Sequence, residues 1–133
     1  MPPRGRITLP RARPFVAALA LCLAACTGAA PPDAGYRTVA GGDAARGRLL
    51  LARYQCGACH EVPGTPTSGV PAGPPLDAFG GRSYIAGRVP NAPATLQRWL
   101  QQPAALVPGT PMPAVGVSAA DARDIAAYLL GLE

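Results

Sequence analysis

The sequence predicts an all-α fold of about three to four helices connected by long loops rich in proline and glycine. Apolar residues recur at helical spacing in two stretches, residues 44–54 and 119–132, and each is preceded by a side chain able to cap a helix, Asp43 and Ser118. Between them, residues 63–113 hold eleven prolines and no alternation of apolar and polar positions that would mark strands. Proline-rich chain loses less conformational entropy when it is fixed, which suits long ordered loops.

Four arginines, Arg4, Arg6, Arg11 and Arg13, and no acid precede an uninterrupted apolar run over residues 15–25. That run is much shorter than the roughly 20 residues a membrane-spanning helix needs, so residues 1–25 read as a signal peptide. Its end, Leu23-Ala24-Ala25-Cys26, resembles the lipobox of bacterial lipoproteins, in which the cysteine takes a diacylglyceryl group and becomes the new N-terminus. Ordinary cleavage after Gly28-Ala29-Ala30 is the alternative and would leave a soluble periplasmic protein. Residues 26–41, a lipidated Cys26 followed by Ala, Gly, Pro and single polar residues, then form a tether, and residues 42–133 form one domain.

Removing the leader changes the charge. The whole chain is +5, but four of its twelve arginines lie in residues 1–25, leaving eight against seven acids, or +1. The basic character therefore belongs to targeting and gives no reason to expect nucleic-acid binding.

Asp43 caps a first helix over residues 44–54, with Leu50, Leu51 and Tyr54 on its buried face and Gly47 in its middle. A mid-helix glycine costs about 1 kcal/mol relative to alanine, so Gly47 calls for a packing reason. A second helix spans residues 93–101, opened by Pro93, closed by Pro103, weakly capped at Ala92, and apolar at Leu96, Trp99 and Leu100. The last helix starts at Ser118, with Asp121 three residues on, and carries Ile125, Tyr128, Leu129 and Leu132 at i, i+3, i+4 and i+7.

Directly after the first helix stands Cys56-Gly57-Ala58-Cys59-His60, the CxxCH spacing of a covalent haem attachment site. Two thiols at that separation reach both vinyl groups of one porphyrin, and the adjacent imidazole can ligate its iron. A thioredoxin-like redox pair would need a βαβ context that is absent here, and structural zinc would need ligands beyond Cys22 and Cys26, which lie in or beside the leader. Lipidation of Cys26 follows partly by arithmetic: haem claims two of four cysteines and Cys22 leaves with the signal, so Cys26 would otherwise be a lone thiol in an oxidising compartment.

His60 is the single histidine, which rules out two histidine ligands from one chain. Met1 leaves with the signal, so Met112 is the one remaining methionine, and its neighbours Gly109, Pro111 and Pro113 give it loop geometry suited to holding a thioether on a metal.

CGACH, GPPL (residues 73–76), PGTPMP (residues 108–113) and DIAAYL (residues 124–129), in this order, resemble the class I c-type cytochromes over residues 42–133. The resemblance implies the cytochrome c fold wrapped round one haem c, attached through Cys56 and Cys59, with His60 and Met112 on the iron. It further implies that the Pro74 carbonyl accepts a hydrogen bond from His60, that Arg82, Tyr84 and Trp99 surround the haem propionates, and that Gly47 marks the crossing of the first and last helices, facing Ile125 and Tyr128. The implied activity is that of a monomeric single-electron carrier with no catalytic residues, on the periplasmic side of a bacterial envelope. It would work between a quinol-oxidising complex or a dehydrogenase and a terminal oxidase. A fixed electron-entry subunit of a dehydrogenase or oxidase complex is the second reading, and a haem gas sensor or peroxidase follows if Met112 does not bind. The chain contains no lysine, so docking by a lysine ring is excluded and an apolar patch at the haem edge is expected.

Overall fold

The computed structural model describes residues 37–66 and 69–133. The signal peptide expected at residues 1–25, the expected lipidation of Cys26 and most of the expected tether lie outside the described residues. Among the described residues no helix is long and apolar enough to cross a membrane.

Among the described residues there are four α-helices: α1 (Ala44–Arg53), α2 (Pro93–Gln101), α3 (Pro103–Leu106) and α4 (Ala119–Leu130). They are joined by loops, two single turns of 3-10 helix and a two-stranded ribbon, β1 (Tyr84–Ile85) and β2 (Val89–Pro90), paired antiparallel with Ile85 opposite Val89. Ala86 and Gly87, both at positive φ, turn the ribbon, and the Arg88 amide donates to the Ile85 carbonyl. Two residues per strand are too few for an alternating pattern, which is why sequence periodicity gave no sign of it.

Local chemistry sets the helix ends. The Asp43 carboxylate accepts from the Arg46 amide at 3.0 Å, and the Ser118 hydroxyl accepts from the Asp121 amide at 3.1 Å, each satisfying a donor left over in the first turn. Helix α2 begins on Pro93 with no side-chain cap at Ala92, as the sequence predicts. Pro103 does more than stop it: it opens α3, a single turn that the sequence did not signal.

Helices α1 and α4 pack together, and α2 packs on α4. Leu50, Leu51, Leu96, Trp99, Leu100, Ile125 and Leu129 form the centre of the core, with Val39 joining it from upstream of Gly42. A leucine or isoleucine buried this fully contributes about 1.5–3 kcal/mol. The α1–α4 crossing is close because Gly47 has no side chain: a Cβ there would come within 3.0 Å of the Asp124 carbonyl. The neighbours of Gly47 are the backbone of Asp124 and Ile125; Tyr128 instead donates its hydroxyl to the Pro63 carbonyl at 2.6 Å. A second notch lies at Gly80, where a Cβ would collide with the Leu130 carbonyl and approach that of Leu132.

A polar cluster spans the same helix pair. Arg46 forms ion pairs with Asp121, at 2.5 Å, and with Asp124; Tyr54 donates to Asp121 at 2.7 Å; and the Asp43 amide donates to Asp124 at 3.0 Å. The Tyr54 hydroxyl, and then Arg46 and Ser118, hold the Asp121 carboxyl below its usual pKa, against the opposing effect of burial. The Asp43 amide and then Arg46 do the same for Asp124, while the two aspartates raise the pKa of Arg46.

Candidate cofactor site

The end of α1 sets up the site. Tyr54 caps the helix, and Gln55 follows in the left-handed conformation, φ 55°, which for a residue with a Cβ costs roughly 1–2 kcal/mol. This reversal throws the chain into a 3-10 turn, Cys56–Ala58, in which the amides of Cys59 and His60 both donate to the Cys56 carbonyl, at 3.2 and 3.0 Å. Both thiols and the imidazole thereby issue from one tight turn.

Neither cysteine is in a disulfide; Cys56 is half-buried against the core and Cys59 is exposed. Burial pushes the Cys56 thiol up, opposite to the lowered pKa of a redox-active CxxC pair. Among the described residues no group of three or more His, Cys, Asp or Glu side chains is placed to hold a metal ion.

The His60 ring is fixed on two sides. Its Nδ1 lies 2.7 Å from the Pro74 carbonyl oxygen. A carbonyl can only accept, so Nδ1 carries the proton there, and in the neutral ring Nε2 is the nitrogen left with a lone pair. Gly73 covers the ring: a Cβ there would come within 3.0 Å of both Cε1 and Nδ1. The loop bearing both residues is tied to the CxxCH segment by Gly73 N donating to Cys59 O at 2.8 Å and, just after it, Leu76 N to Glu61 O at 2.7 Å. The sequence motif pointed to Pro74; it did not reveal that Gly73 is the face on which the imidazole rests.

The other predicted residues are spread along the chain. Met112 lies in the loop after α3, half-buried against the core, its amide donating to Thr110 Oγ1 at 3.3 Å. Trp99 is a buried residue of α2, whereas Tyr84 on β1 is 58% exposed. The Arg82 guanidinium donates to the carbonyls of Pro75 and Asp77. Asn91, which the sequence did not single out, is 4% exposed; its Nδ2 donates to the carbonyls of Phe79 and Arg82 and its buried Oδ1 has no partner.

The Cytochrome c family model matches residues 44–133, from the first residue of α1 onward. The chain belongs to the cytochrome c family. Its mostly helical architecture and small ribbon agree with the cytochrome c fold. Cytochromes c carry covalently bound haem c and transfer electrons, and the donor set here fits that group: free thiols on one turn and an imidazole with an available Nε2. The chain is also similar to the cytochrome c oxidase subunit 2 of Alkalihalophilus pseudofirmus, 37% identical over 89 residues, which are 66% of this chain and 25% of that protein. The matched part thus spans about a quarter of the relative's length.

Proposed function

We propose that this cytochrome is a single-electron carrier with one haem c, joined through thioethers at Cys56 and Cys59 and ligated by His60 Nε2 and the Met112 sulfur. The observation that carries the reading is the His60–Pro74 hydrogen bond at 2.7 Å in a CxxCH turn. That bond selects the tautomer with a free Nε2, holds the ring in one orientation and strengthens it as a donor. When bound, haem c supplies an iron that cycles between Fe(II) and Fe(III).

The chain's residues keep the change to one electron. Met112 would offer the iron a soft thioether, which favours Fe(II) and would raise the potential. Pro111 and Pro113 restrict the backbone beside it. With His60 and Met112 both holding the iron, little would rearrange on oxidation, and oxygen and peroxide would be kept from it. Trp99, Tyr84 and Arg82 complete the surroundings proposed for the propionates.

In the cell, the reading places the domain on the periplasmic side of a bacterial envelope, anchored by lipid at Cys26, as a monomer taking electrons from a quinol-oxidising complex or a dehydrogenase. Similarity to an oxidase subunit supports a terminal oxidase as acceptor. It equally favours a second reading, that the domain is a fixed electron-entry subunit of an oxidase, because the relative carries the matched stretch within a longer subunit.

Protein from a host that matures c-type cytochromes should give reduced and oxidised haem c spectra that persist after denaturation, and Cys56→Ala or Cys59→Ala should lose stable attachment. Rapid carbon monoxide binding by the native reduced protein would turn the assignment towards a gas sensor or peroxidase. A stoichiometric partner retained in solubilised membranes would favour the subunit over the mobile carrier.

A further inference from the structure

The Pro74 carbonyl that orients His60 belongs to a Pro74-Pro75 dipeptide with no backbone N–H of its own at either position. Such a segment cannot hold itself by its own donors. The loop is pinned before the pair by Gly73 N to Cys59 O and after it by Leu76 N to Glu61 O. One side chain also grips it: Arg82 Nη2 donates to Pro75 O, between these points, at 2.5 Å and to Asp77 O, just past them, at 3.0 Å.

Arg82 is itself held in place. Its guanidinium carbon lies 5.5 Å from the centroid of the Phe79 ring, and the Asp77 carboxylate stands 3.9 Å from Nη2. Its own carbonyl, like that of Phe79, accepts from buried Asn91. The path from Asn91 through Arg82 to Pro75 ends one peptide from the carbonyl that holds His60.

We propose that Arg82 is a positioning residue for His60, acting through its two hydrogen bonds to the loop carbonyls and not through its charge alone. This rests on the proposed ligation of iron by His60. A lysine keeps the charge but lacks the planar guanidinium that lies over Phe79 and fixes Nη2 against the two carbonyls, so Arg82→Lys separates fixed placement of the donor from charge.

The test is solvent exchange of the His60 Nδ1 proton, followed by NMR in the reduced holoprotein, with the Ile125 amide proton in the α4 core as reference. Both Arg82→Lys and Arg82→Gln should exchange that proton roughly tenfold faster than the unmodified protein, while Ile125 is unchanged. A wild-type rate in Arg82→Lys would overturn the proposal, because charge would then suffice. Equal acceleration of the Ile125 amide would also overturn it, because the effect would be general loosening. Absorption spectra taken first keep the two readings apart: no haem in the unmodified chain defeats the proposed function, whereas a haem-bearing variant with unshifted exchange defeats only the role of Arg82.

Discussion

At Gly73 a single missing side chain determines where the imidazole can lie. Gly73→Ala places a methyl within 3.0 Å of the His60 ring, so either the ring or the 73–77 loop must move. The expected cost is about 1–3 kcal/mol in denaturant melts of the holoprotein, with an altered axial ligand field in its spectrum. Met112→Ala should leave the fold in place, lower the reduction potential and admit carbon monoxide, as read by titration of the reduced form. His60, Cys56, Cys59 and Met112 stood out in the sequence because their chemistry is written in residue type and spacing. Gly73 and Asn91 did not, since one matters for what it leaves out and the other for carbonyls 9 and 12 residues away.

Between elements, the α1–α4 contact is the most exposed to single changes. Gly47→Val must push the two helices apart or unwind one, because the obstacle is the Asp124 backbone and cannot rotate away. A loss of about 3 kcal/mol and a lower yield of holoprotein are expected, measured by chemical unfolding and haem content. The same interface should be acid-sensitive. The carboxyls of Asp121 and Asp124 have lowered pKa values in the folded protein, so the stability they contribute is present above the unfolded Asp value of about 3.9 and is lost as pH falls through the lower folded values. Unfolding followed from neutral to strongly acid pH should show that loss, and Asp124→Asn should be less stable at neutral pH with a flatter acid limb. Caps and proline brackets made the helix limits readable, α2 to the residue. The polar cluster was not readable, because helical spacing on α4 marks Ile125 and Leu129 as core but cannot reveal that Arg46 reaches Asp121 and Asp124 from α1.

For the molecule as a whole, the chain is short and much of it is loop, so its own apolar surface makes a small core. Protein made without haem attachment should keep some helix by far-UV circular dichroism while losing the near-UV signal of Trp99 and binding hydrophobic dyes. Because residues 26–133 carry eight arginines against seven acids, association with a redox partner should slow by no more than about threefold between low and physiological salt. The sequence disclosed this scale best: helix order, loop chemistry and the placing of CxxCH between α1 and the proline-rich stretch agree with the observed fold. It disclosed least about the loops themselves, whose shape depends on distant hydrogen bonds such as those of Arg82.

Helix α4 fills the notches at both Gly47 and Gly80, and it comes after both in the chain. During translation, every segment that it will grip emerges before it does. The nascent polypeptide therefore cannot close this core until residues 119–130 have been made.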